Sequence, residues 1–127
     1  MSIYDTYGKF NGKELEYLSS YLDSESNSYE KPWVQRLEES VSNFVGIKYA
    51  VACNSGTSGL HMAMYACDIG PGDEVICPDL TFIAPANMVV LSGAKLKLVD
   101  INPETLAIDH KQIEKKITKR TKEIIVV

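Results

Sequence analysis

Residues 49–67, YAVACNSGTSGLHMAMYAC, decide how the rest of the chain is read. Residues 49–53 form a short apolar run suited to a strand, Asn54, Ser55 and Gly56 make a tight polar turn, and an amphipathic helix opens near Thr57. A strand delivered onto the start of a helix leaves the first helical N–H groups unpaired at the positive end of the helix dipole. Such a corner binds anions. Gly56 lets a phosphate approach the backbone without a side chain in the way, and the hydroxyls of Ser55, Thr57 and Ser58 each offer a further donor. Ser and Thr are also ordinary N-cap residues, so the corner alone equally describes a capped helix that binds nothing.

Beyond this corner, strand and helix patterns alternate. Gly70, Pro71 and Gly72 turn the chain into an expected strand at residues 74–77, ended by Pro78 and Asp79. A helix follows over about residues 83–91, with Pro85 tolerated in its first turn and Gly93 closing it. Residues 95–100, KLKLVD, alternate as a strand does, Asn102 and Pro103 turn the chain, and Asp109 is placed to cap a helix reaching Ile117. Residues 123–127, EIIVV, read as a strand from the middle of a sheet, with no helix after it to cover it. That predicts the front part of a longer protein. Strands separated by helices imply an α/β fold of three layers, a mostly parallel sheet with helices on both faces.

Before the corner lie two expected helices. Residues 1–11 read as an extended arm with Tyr4, Tyr7 and Phe10, and a helix from Asn11 or Gly12 to about Leu22 carries one apolar stripe of Leu15, Leu18 and Leu22. Residues 23–31 are polar and loop-like. Pro32 opens a second helix with Leu37, Val41, Phe44 and Val45 at helical spacing, stopped by Gly46.

Composition narrows the partners. A net charge of −4 over 127 residues, with no dominant run of Lys and Arg, argues against a nucleic-acid surface. No apolar run approaches the roughly 20 residues that span a bilayer, and the start at Met1 lacks a leader pattern, so a cytoplasmic protein without membrane contact is expected. Cys53, Cys67 and Cys77 cannot all pair with one another, and each is expected as a buried free thiol. Their spacing, with His61 and His110 far from any second ligand, fits no common metal site, so none is expected.

Three motifs, NSGTSGLHMAM, GPGDEVICPDLTFIAPAN and VDINPETLAID, together carry a family resemblance. Over residues 32–127 the chain resembles the N-terminal third of the DegT-type sugar aminotransferases, which are fold-type I enzymes dependent on pyridoxal 5'-phosphate (PLP). Residues 1–31 read as an N-terminal arm, helix and loop, and the resemblance implies residues 32–127 as part of the PLP-binding large domain, truncated at its C-terminal end. It assigns Gly56, Thr57 and Ser58 to the cofactor phosphate and Phe82 to stacking on the pyridine ring. Phe82 also follows the carboxyl end of a parallel strand, the rim where ligands of α/β sheets sit, although an aromatic there can equally be a core residue capping the sheet. Residues 32–34 correspond to a segment that shapes the family's substrate site. Departures from the pattern are Lys31 where Gly is common, Pro85 where Thr or Ser is common, and Ser58–Gly59 where two alanines are usual.

The implied function is amino transfer, with glutamate as donor, to a nucleotide-linked keto sugar in amino-sugar or surface-polysaccharide biosynthesis, by a homodimer when the protein is full length. The family's Schiff-base Lys and the Asp that pairs with the pyridine nitrogen both lie downstream of Val127. No Lys here is placed in the desolvated setting that a neutral, nucleophilic amine requires, so no catalytic residue is expected in this chain and it is expected to be inactive alone. The alternative is a non-catalytic paralogue that binds phosphate or PLP, or only pairs with an intact subunit. A nucleotide-binding oxidoreductase is disfavoured, since no G-x-G-x-x-G follows a strand.

Overall fold

The computed structural model describes residues 12–23 and 32–127, and they group into two units that divide between Ala52 and Cys53. The expected arm at residues 1–11, most of the expected loop and the Lys31 departure lie outside the described residues.

The first unit holds helices α1 (Glu14–Asp23) and α2 (Pro32–Val45). Its main packing is aromatic. Tyr17 and Tyr21 of α1 meet Trp33 of α2 edge-on, with ring centroids 6.1 and 6.3 Å apart, and the Arg36 guanidinium sits 4.6 Å over the Trp33 ring. The stripe of Leu15, Leu18 and Leu22 is exposed, and it is Tyr17 and Tyr21 that make the contact with α2. Helix α2 starts at Pro32 and ends before Gly46, whose φ of 77° only glycine adopts readily.

The second unit is the α/β part. Its elements are α3 (Gly56–Ala66), β1 (Glu74–Pro78), α4 (Ala84–Leu91), β2 (Lys95–Val99), α5 (His110–Lys116) and β3 (Thr121–Ile124). The three strands are parallel, in the order β2-β1-β3. The β1–β3 ladder slips by one residue at Lys122, so Glu74 faces Thr121 and Val75 faces Glu123. The steps from β1 to β2 and from β2 to β3 run in opposite directions across the sheet, and right-handed crossovers therefore put α4 and α5 on opposite faces. A parallel α/β sheet covered on both sides results, as the strand and helix patterns imply.

Every residue of β1 is buried, which suits a central strand. On one face Val75, Cys77 and Ile125 pack with Met64 of α3, Val89 of α4, Ile69 and Ala94, flanked by Leu60, Met88 and Leu96. Gly93 ends α4 at φ 81°, and a Cβ there would lie 3.1 Å from Pro71 Cγ, so both backbone and space require glycine.

Three expectations fail. Residues 49–53 form no strand, since a strand exists only by pairing and the described sheet consists of β1, β2 and β3. The last strand begins two residues early, at Thr121. The cysteines are all free, but Cys53 and Cys67 are exposed and only Cys77 is buried. Burial pushes the Cys77 thiol up to about 11, helped by the nearby Glu123 carboxylate. A thiol reagent at neutral pH is therefore expected to label Cys53 and Cys67 quickly and Cys77 only on unfolding, read by mass spectrometry.

At the amino end of β1 the Glu74 side chain is fully buried yet well satisfied. It accepts from Arg120 Nη2 (2.9 Å), Arg120 Nε (3.2 Å) and Thr118 Oγ1 (2.8 Å), and Lys97 Nζ lies 3.4 Å away. Arg120 first, then Thr118, and Lys97 to a smaller degree, outweigh the desolvation and hold the carboxyl at about 2 rather than 4.5. A lowered folded-state value means the carboxylate stabilises the fold fully above about pH 4.5 and loses that contribution as pH falls toward about 2. Glu74→Gln is expected to melt below the parent at neutral pH, with the gap closing through that window. A constant gap across it would contradict the assignment. Glu123 Oε2 is, in contrast, buried without a partner, and desolvation raises its pKa.

Candidate functional site

The connectivity of the second unit brings two candidate groups to one end of the sheet. Helix α3 runs down from Gly56 to the turn that starts β1, and β1 runs back up to Pro78, from which the chain passes through Phe82 into α4. The amino ends of α3 and α4 and the residues between β1 and α4 therefore lie at the carboxyl end of the strands, where open parallel sheets place their ligands.

Ser55 caps α3 from extended backbone (φ −163°, ψ 158°), its Oγ accepting the Ser58 N–H at 3.1 Å. Ser58 Oγ donates to Asn54 Oδ1 at 2.6 Å, and the Ser55 and Ser58 hydroxyls are 3.0 Å apart. Because the Ser58 proton goes to Asn54, the Ser55 proton goes to Ser58. Both serine hydroxyls are thus committed within the turn, and so is the Ser58 amide. What stays open among the described residues is the pair of N–H groups on Gly56 and Thr57, with the exposed Thr57 hydroxyl beside them. A Cβ built on Gly56 meets nothing within 4 Å, so the approach to these amides is clear. Two adjacent unpaired N–H groups on the first turn of an 11-residue helix can hold a phosphate oxygen.

Phe82 is 74% exposed among the described residues, at the end of the sheet that the amino end of α3 also reaches. Helix α4 begins just after it without a side-chain cap, since Ile83 occupies the cap position and Pro85 the first turn. The Thr81 hydroxyl oxygen beside it is buried and has no hydrogen-bond partner. An exposed ring on the rim offers a flat apolar wall to a planar ligand.

Two residues of the turn were not singled out by the sequence. Asn54 orients the Ser58 hydroxyl, and Cys53 Sγ donates to the Ser55 carbonyl at 3.2 Å. Only their places immediately before the capping serine hint at this. Residues 32–34, assigned to a substrate-shaping segment, open α2 in the other unit. An open hollow of about 540 Å³ lies at the opposite, amino end of the sheet, between Gly72, Gly93, Lys95 and Arg120. Its guanidinium is already engaged by Glu74. Among the described residues no helix is long and apolar enough to cross a membrane, and no cluster of His, Cys, Asp and Glu is placed to hold a metal ion.

Comparison with known proteins agrees with the α/β fold. The chain is 42% identical over 119 residues to the GDP-perosamine synthase of Caulobacter vibrioides, a match covering 94% of this chain and 32% of that protein. It is 47% identical over 96 residues to the UDP-2-acetamido-2-deoxy-3-oxo-D-glucuronate aminotransferase of Pseudomonas aeruginosa, covering 76% of this chain and 27% of that one. The chain thus spans about a third of the length of the curated relatives it matches. Among solved structures, NtdA from Bacillus subtilis with bound cofactor PMP superposes with a TM-score of 0.82 at 33% identity, over 92% of this chain and 27% of that one. Pyridoxal phosphate, the cofactor that the family resemblance implies, is the cofactor of DegT-family aminotransferases, and a solved structure of the sugar aminotransferase Spr1654 from Streptococcus pneumoniae is of its PLP form. The model of the DegT/DnrJ/EryC1/StrS aminotransferase family matches residues 9–127, and the chain belongs to that family.

Proposed function

We propose that this chain is the N-terminal, cofactor-anchoring part of a PLP-dependent aminotransferase acting on a nucleotide-linked keto sugar, with glutamate as the amino donor. The reading places the enzyme in amino-sugar or surface-polysaccharide biosynthesis, in the cytoplasm and as a homodimer at full length. The observation that carries it is the open pair of amides on Gly56 and Thr57 at the end of the sheet that also presents Phe82. When bound, PLP supplies an electron sink that lets an amino group pass from donor to acceptor in two half-reactions.

The residues of this chain would bind and orient. Gly56 N–H, Thr57 N–H and the Thr57 hydroxyl donate to the phosphate, and the helix dipole favours its negative charge. Ser58 joins them by turning its hydroxyl from Asn54 toward the anion, which leaves the Asn54 carbonyl to the solvent. Phe82 covers one face of the pyridine ring. No Lys of this chain is assigned the covalent role, so the chain alone does not transaminate.

A chimera tests this directly. Residues 1–127 replace the matching N-terminal third of the Caulobacter GDP-perosamine synthase, and PLP loading and glutamate-dependent release of 2-oxoglutarate are followed together. Release of 2-oxoglutarate, cut at least about tenfold by Phe82→Ala, is expected. A chimera that loads PLP but releases none would favour the non-catalytic reading, in which the chain binds phosphate or PLP, or serves only to pair with an intact subunit.

A further inference from the structure

The phosphate corner carries one interaction that none of the anion-binding assignments uses. Cys53 Sγ donates to the carbonyl oxygen of Ser55 at 3.2 Å, and the same oxygen accepts the Gly59 N–H at 3.0 Å. The sulfur also lies 3.3 Å from where a Cβ on Gly59 would stand. Apart from the helix's own backbone and the residues next to Gly59, nothing else among the described residues lies within 4 Å of that point. Gly59 sits in the first turns of α3, where glycine weakens a helix by about 1 kcal/mol relative to alanine, so its presence there runs against local preference. The thiol packs tightly against the place a methyl would take.

We propose that Cys53 and Gly59 are a matched pair of positioning residues that fix the Ser55–Gly56 peptide, and with it the direction of the Gly56 N–H group, on which the following Thr57 N–H is built. Ser55 O belongs to the peptide unit whose nitrogen is that of Gly56, so whatever holds this oxygen sets where the Gly56 N–H points. The Gly59 amide holds the oxygen from the helix side. The thiol holds it from the other side, and a side chain at residue 59 would crowd it into shifting by a few tenths of an ångström. Cys53 is exposed, so a methyl at residue 59 would displace the sulfur instead of breaking the helix. The cost falls on the orientation of the peptide and not on the stability of the fold. The pair deepens the reading of this corner as an anion site and rests on it.

The test uses the full 127-residue chain, its Cys53→Ala, Gly59→Ala and double variants, and inorganic phosphate as probe. Binding is followed through the backbone amide resonances of Gly56 and Thr57. Each single variant is expected to bind phosphate about fivefold more weakly, the equivalent of one weak hydrogen bond. The double variant should be no weaker than either single one, because both changes remove the same contact. Gly59→Ala should at the same time melt at or above the parent temperature, a combination that a merely structural role would not produce. Cys53→Ser in the Gly59→Ala background, with a smaller donor atom, should recover most of the affinity. Multiplicative losses, or unchanged binding in either single variant, would overturn the pair. If the parent chain itself binds no phosphate, the anion reading of the corner falls. The pair is then decided without ligand: Gly56 and Thr57 resonances displaced alike in all three variants support it, and resonances that stay in place refute it.

Discussion

Met64→Ala is expected to destabilise the second unit by about 3 kcal/mol, within the range of large-to-small changes in closed cores. Met64 is the one fully buried side chain of α3, and it joins the helix to Val75, Cys77 and Val89 of the core. Its loss leaves a cavity in the packing that holds the carboxyl-terminal half of α3 against the sheet. The effect should reach the anion corner even though the corner lies at the other end of the helix, since the only other side chain of α3 that packs on this core is the half-buried Leu60. Chemical denaturation would measure the loss of stability. Faster hydrogen exchange across α3 than across β1 would locate it. Met64→Leu, which nearly conserves volume, should lose less than about 1.5 kcal/mol.

The second large effect is expected at the corner itself. Gly56→Asp brings a carboxylate to the first position of α3, beside the two open amides. A carboxylate there complements the helix dipole and should stabilise the helix by about 0.5 kcal/mol. It also occupies or repels from the place a phosphate would take. PLP binding should fall by about a hundredfold, close to 3 kcal/mol, while the melting temperature holds or rises. Opposite signs in the two measurements separate a lost ligand site from a damaged fold. A parallel fall in both would place the role of Gly56 in the architecture instead.

What the sequence made legible was what is decided locally. Pro32 and Gly46 bracket α2, Asp109 caps α5 by accepting the Lys111 N–H at 2.9 Å, and the glycine turn before β1 and Gly93 after α4 stand where the motifs put them. Each of these depends on a few neighbouring residues. Residues 49–53 were misread because an apolar run states only that a strand would suit it, whereas pairing is a property of the whole sheet. The start of β3 at Thr121 was legible only within two residues, since strand bounds are set by pairing with β1. The stripe of Leu15, Leu18 and Leu22 was legible as a helix face but not as a packed one, since it is Tyr17 and Tyr21 that meet Trp33.

The candidate site shows the same division. That an anion corner should lie between Asn54 and Ser58 followed from a strand-turn-helix pattern, even though the strand itself is missing. Which donors remain free did not follow, because it depends on side-chain rotamers. Ser55 spends its oxygen on the Ser58 amide, and Asn54 takes the Ser58 proton, leaving Gly56 and Thr57. Phe82 is ambiguous between rim and core in the sequence, and among the described residues its ring is exposed.

The most direct measurement compares PLP with pyridoxal, which lacks the phosphate, while the amide resonances of Gly56 and Thr57 are observed in the 127-residue chain. Saturable shifts at both amides with PLP and none with pyridoxal are the predicted result. Equal shifts with the two compounds, or none with either, would contradict the claim that these amides grip the phosphate.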